Sequence, residues 1–278
     1  MPPSNRIHYF HGDACALSGY LESPVVTNIA PQASLSLAPS GGYGSTDVGP
    51  FQVEGAISFE SASAQVSGSL SPNKGQGWVT LVTSVVEGLN ILGVVTADSV
   101  TAQISTEHPL VGDNPTVTFL GTQFVNLRIA GNPVDVNFNL DICNQGAGYP
   151  AVPCMQDNNF LARVSQQYAG IVNPNDLPNW VVNKTIPAWL KQRYQSTNVS
   201  KNRNSVLCSL VSQVTGEFPG IPYGNVLEIP NFGIVSLGQL IVDHNSYRLI
   251  MVNAEMDSIS TGSISLATCT ANGTTEPP

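Results

Sequence analysis

The sequence predicts a mainly β fold: an antiparallel, sandwich-like architecture, with a β-solenoid as the alternative, interrupted by a helical insertion. Three observations carry that expectation. First, apolar and polar residues alternate in the stretch ending at Cys143, where Val136, Phe138, Leu140 and Ile142 are interleaved with Asp135, Asn137, Asn139 and Asp141. Successive side chains of a strand point to opposite faces, so this spacing gives one oily face and one polar face. Second, the strand-like runs are separated by Gly- and Pro-bearing turns, and no crossover helices join them outside one segment. That argues against a doubly wound α/β fold. Third, after Cys143 the apolar spacing becomes helical. No fixed-period repeat is present, which sets the sandwich ahead of the solenoid. The organisation expected is one β domain over 1–278, broken by a basic, helical insertion over 143–216.

Taken in order, residues 1–13 read as an irregular leader. His8, His11 and Asp13 lie close enough in sequence to chelate a metal, but a mobile terminus is the plainer reading. Short apolar pieces follow to Leu37, and SGGYGSTDVG is a loop by composition. Alternation resumes with Val53, Ile57 and Phe59 as inward candidates, SPNKGQG is a turn, and WVTLVTSVVEGL is a buried strand. Beyond Cys143, Asp157 is placed to cap a helix whose stripe is Phe160, Leu161, Val164, Tyr168 and Ile171. Pro187 can start a second short helix. Asn204 is a candidate cap for a third, with Val206, Leu207, Leu210, Val211 and Val214 on one stripe and Gly216 as its stop. From Val226 the β pattern returns, with turns expected at Gly233, Gly238 and Gly262.

Charged residues make up only 10% of the chain, so its surface must rely on Ser, Thr, Asn, Gln and Gly. The net charge of −9 argues against a nucleic-acid partner, whose phosphates need clustered Lys and Arg. Six basic residues (Arg163, Lys184, Lys191, Arg193, Lys201, Arg203) and only two acids (Asp157, Asp176) fall between Cys143 and Cys208. That segment carries about +4 and the remainder about −13, so the simplest expectation is an insertion docked on its own acidic frame. No apolar run is long enough for a membrane span.

Five cysteines in a chain of few charges point to an oxidising, extracellular compartment. Cys143 and Cys154 flank NQGAGYPAVP and make the first candidate bridge; Cys208 could pair with Cys15 or Cys269. No C-x-x-C pair suggests zinc or dithiol chemistry. Met1 precedes PPSNR abruptly and the chain stops at TTEPP, so it reads as a mature fragment trimmed of an export signal and of whatever followed. Asn183, Asn198 and Asn272 stand in N-x-[ST] sequons.

Catalytic signals are thin. There is no G-x-S-x-G elbow, His8, His11, His108 and His244 adjoin no evident nucleophile, and nothing singles out one carboxylate pair. The row Asp135, Asn137, Asn139 and Asp141 is the first candidate binding face. Its oxygens make calcium the one cofactor worth weighing, but alternate strand residues are about 7 Å apart, too far for one ion to reach more than two. Neither a cofactor nor a metal is therefore expected. Trp180, Trp189 and Tyr194, near Lys191 and Arg193, form a second candidate face if their rings are exposed; packing under the helices is the alternative.

ADSVTAQIS, FVNLRIAGNPVDV, NVLEIPNFGIVSLGQLIVD and IMVNAEMD resemble the bacterial choice-of-anchor P proteins over about 14–142 and 220–270. That resemblance implies export and display at a bacterial surface, and it assigns no catalytic residue. The function expected is binding or assembly without chemistry: adhesion, or contact with a surface glycan or protein. The alternatives are an extracellular hydrolase acting on polysaccharide or polyester, and a self-assembling structural subunit.

Overall fold

The computed structural model describes residues 6–72, 77–110, 115–143, 152–172, 186–194, 204–244, 246–258 and 260–276. Over these the chain is an antiparallel β sandwich with a helical insertion. β1 (Ile7–Ser23) pairs with β2 (Thr27–Ser36), after which the chain crosses to a second sheet. That sheet holds β3 (Gly42–Val48), β4 (Phe51–Val53), β5 (Ile57–Phe59), β6 (Ser61–Leu70), β7 (Trp78–Ile91), β8 (Val95–His108), β9 (Thr116–Thr118), β10 (Gln123–Val125), β11 (Arg128–Ile129) and β12 (Asn132–Pro133). β13 (Asp135–Phe138) leads into the insertion, which contains a single 3-10 turn (Cys154–Gln156), α1 (Asn158–Val172) and α2 (Ala188–Tyr194). β14 (Ser205–Ser209), β15 (Val211–Thr215), β16 (Ile221–Tyr223), β17 (Val226–Ile229), β18 (Gly233–Asp243), β19 (Tyr247–Asp257) and β20 (Thr261–Glu276) complete the chain.

Ten strands, β3 to β12, form the second sheet, with β7 and β8 at its centre. The first sheet has eight strands in the order β16-β17-β18-β19-β20-β1-β2, with β14 also on β18, and β13 and β15 make a separate two-stranded ladder. The sheets meet where β1 crosses β6 and β7 and where β20 crosses β7 and β8. Between them lies a core of inward alternate residues that includes Leu17, Val82, Val86, Ile104 and Leu266, each fully buried. Such interleaving is the packing an aligned sandwich requires. The far half of the first sheet is met by the insertion, α1 lying on β14 and β16 and the 3-10 turn on β18.

Several expectations need correction. Residues 7–13 are not a leader: β1 begins at Ile7 and pairs with β20 out to Glu276. Its alternation separates the histidines, so His8 is buried while His11 faces solvent, its Nε2 3.0 Å from Asp13 Oδ2. The third helix does not form. Asn204 caps nothing, and the segment runs as β14 on β18 and β15 on β13. Its apolar stripe satisfies either period, and the open edge of β18 beyond Gln239 offers backbone partners that a short helix would leave unused. Gly238 makes no turn either; it lies inside β18 at φ +58, where a Cβ would stand 2.8 Å from Val211 Cγ2. The two expected helices do form. Asp157 caps α1, accepting from Asn159 N at 2.9 Å and Phe160 N at 3.2 Å, and all five predicted stripe residues are buried.

Candidate functional site

The seam between insertion and frame gathers the most chemistry-bearing side chains. Cys143, Cys154 and Cys208 are all buried there. The Cys154 thiol donates to the Cys143 carbonyl at 3.8 Å and accepts from the Tyr247 hydroxyl at 3.6 Å. Burial pushes the Cys143 and Cys208 thiols and the Tyr247 phenol up, whereas hydrogen bonding to Cys143 holds Cys154 down. Arg163 closes the seam, with Nε and Nη2 donating to the Ile142 carbonyl at 2.9 and 2.6 Å and Nη2 3.7 Å from Asp157 Oδ2.

The expected bridges are not formed. All five cysteines are free thiols, with no pair at disulfide distance. Cys143 and Cys154 do come together, but Cys208 lies beside them and so is not placed with Cys15 or Cys269. Cys269 points into the sandwich, its thiol donating to the Ala102 carbonyl at 3.3 Å, and Cys15 donates to the Leu17 carbonyl at 3.3 Å.

The first candidate face is shorter than its alternation suggested. Only Asp135 and Asn137 of the four polar residues lie on β13. The strand stops at Phe138, and Asn139 and Asp141 follow it, the Asn139 amide donating to the Leu210 carbonyl at 2.7 Å. A register shift between Asn137 and Phe138 breaks the row further. The aromatic face does not assemble among the described residues. Tyr194 is 3% exposed and packs edge-on against Tyr168 at 5.4 Å, Trp189 is half-buried against the core, and Trp180 lies outside the described residues. These rings hold the insertion down. Gln167 does the same through polar contacts: its Nε2 donates to the Ser209 carbonyl at 2.7 Å and its Oε1 accepts from the Ser209 amide at 3.1 Å. Arg193 Nη1 meets Glu255 Oε1 at 2.9 Å, so this base of the insertion pairs with an acid of the frame.

Two further features escaped sequence reading. The first is a pair of histidines inside the sandwich. His8 and His108 have ring centroids 4.6 Å apart and are 7% and 3% exposed. Burial lowers each to a pKa of about 4, and for His108 the neighbouring His8 adds to it. The second is the outer face of the second sheet. Register brings Ser45, Gln65, Thr83 and Gln103 side by side across β3, β6, β7 and β8. Beside them run Ser67, Leu81 and Ser105 in one row and Ser63, Val85 and Thr101 in another, and Gln103 Nε2 donates to Thr83 Oγ1 at 3.1 Å. Glu87 and Glu107 sit toward opposite ends, and Asp47 at the β3 edge. The centre carries no charged residue and sets hydroxyls and amides beside the apolar Leu81 and Val85.

Fold and site together define an all-β sandwich protein with a docked helical insertion. Residues 8–243 match a family described as a domain of unknown function (DUF8256), and the chain belongs to that family. No curated protein and no solved structure matches it.

Proposed function

We propose that this is an exported, surface-displayed bacterial protein that binds neutral glycan chains and does no chemistry of its own, using the outer face of its second sheet. The observation that carries this reading is the row Ser45, Gln65, Thr83 and Gln103 with its flanking hydroxyls. A row of neutral donors and acceptors suits an extended polyhydroxyl chain, which can exchange its hydration for many modest hydrogen bonds. With no charge at the centre of the face, the array has little hold on an ionic ligand. Export is supported by the low charge content and by the resemblance to the choice-of-anchor P proteins.

Retention of the full chain on insoluble neutral polysaccharides tests the proposal. Binding is expected to at least one of them and to persist as salt is raised, because screening acts on charge pairs and not on neutral contacts. Thr83→Lys, at the centre of the face, is expected to weaken retention by about tenfold or more. Absence of binding to every polysaccharide, or binding that Thr83→Lys leaves intact, would overturn it. Polymerisation that rises with protein concentration and is lost in Thr83→Lys would assign the face to self-assembly instead.

A further inference from the structure

We propose that His8 and His108 form a two-nitrogen site for a monovalent d10 cation, copper(I) being the physiological ion. The geometry converges on one point. A Cβ built on Gly273 would stand 2.6 Å from His8 Nε2 and 3.0 Å from His108 Nε2, so both nitrogens face the space above that glycine in β20. Neither Nε2 has a hydrogen-bond partner, although both residues are more than nine-tenths buried. The Thr80 and Thr106 hydroxyls are also buried without partners; Thr106 lies two residues before His108 on the same inward face, with Thr80 opposite it in the ladder. A buried polar group without a partner destabilises the fold, so such a concentration at one end of a sandwich favours an occupant.

The surroundings select the ion. His8 Nδ1 lies 2.9 Å from Thr275 Oγ1. With Nδ1–H donating there, Nε2 keeps its lone pair free, as a metal-binding imidazole requires. Among the described residues no group of three or more His, Cys, Asp or Glu side chains could hold a metal. Two neutral nitrogens without an anionic ligand leave a divalent ion's charge uncompensated in a dry interior. A monovalent d10 ion brings half that charge and is satisfied by two nitrogen donors. Trp78 stacks on His8 at 5.1 Å and 11°, so charge drawn onto that ring lies over an indole face. Phe10 meets His8 at 4.6 Å and 82° and shields it further.

Silver(I) is the redox-inert probe for this site, and the ring nitrogens of the full chain, labelled with nitrogen-15 at histidine, are the readout. At one equivalent bound to the pair, the Nε2 resonances of His8 and His108 are expected to move together, a signature that uptake by the five thiols does not produce. Gly273→Ala keeps both histidines and fills the space between them, and it should abolish the joint shift. Thr275→Val removes the partner that orients His8 and is expected to weaken binding roughly 10–100-fold. Silver uptake that leaves both rings unmoved, or that moves only one, overturns the proposal even if neither variant folds. An unchanged joint shift in a folded Gly273→Ala would also overturn it.

Discussion

His8 and His108 titrate at about 4 in the folded chain against 6.5 when exposed, and this fixes the sign of a pH effect. Between those values the unfolded chain binds more protons than the folded one, so stability falls as pH drops from about 6.5 toward 4 and is level above that window. For the metal-free protein the loss across the window should be read as a falling urea midpoint. A midpoint that stays constant from pH 7 to 5 would count against the buried pair. The cysteines give a second expectation. No pair of cysteines stands at disulfide distance, so all five are expected to remain free thiols. Mass analysis of the denatured chain after alkylation without reductant should then show five modified thiols; three would mean that one pair has closed into a disulfide. Single residues were the least legible part of the sequence. Alternation alone places His8 and His11 on opposite faces, but the inward positions at the start of β1 include His8 and Gly12, which give no apolar signal to reveal a strand.

Helix α1 was legible because cap and stripe agree, Asp157 at one end and Phe160 to Ile171 along one face. The segment after Asn204 was not, because its valines and leucines fit a stripe as well as a strand and the deciding partner, the open edge of β18, is distant in sequence. The docking of the insertion lends itself to comparison of two contacts. Gln167→Ala removes both of its hydrogen bonds to the backbone of Ser209, which is 2% exposed, and should destabilise by about 1–3 kcal/mol. Arg193→Ala breaks an ion pair in which Glu255 is 41% exposed, and should cost only about 0–1 kcal/mol. Urea titration of the two variants orders them directly. A larger loss for Arg193→Ala would mean that charge, and not the buried polar clasp, holds the insertion.

For the whole molecule, the sandwich and its insertion could be read from periodicity, since period two and period 3.6 leave different marks over long segments. The candidate glycan face could not. Alternation reports that Gln65, Thr83 and Gln103 point away from the core, but only the register of β6, β7 and β8 shows that they stand in one row. The same limit hid the meeting of Gly273 with two histidines from distant strands. Register also has a mechanical consequence where β1 runs against β20. Ile7 stands opposite Glu276, and the ladder continues inward to Ser23 opposite Thr261. A load applied to residues 7 and 276 therefore meets the rungs one at a time and peels the joint open. A load along the strand axis shares itself over every rung at once. Pulled between these two residues in a single-molecule experiment, the sandwich should yield at lower force than when gripped at residue 276 and at the far end of β1.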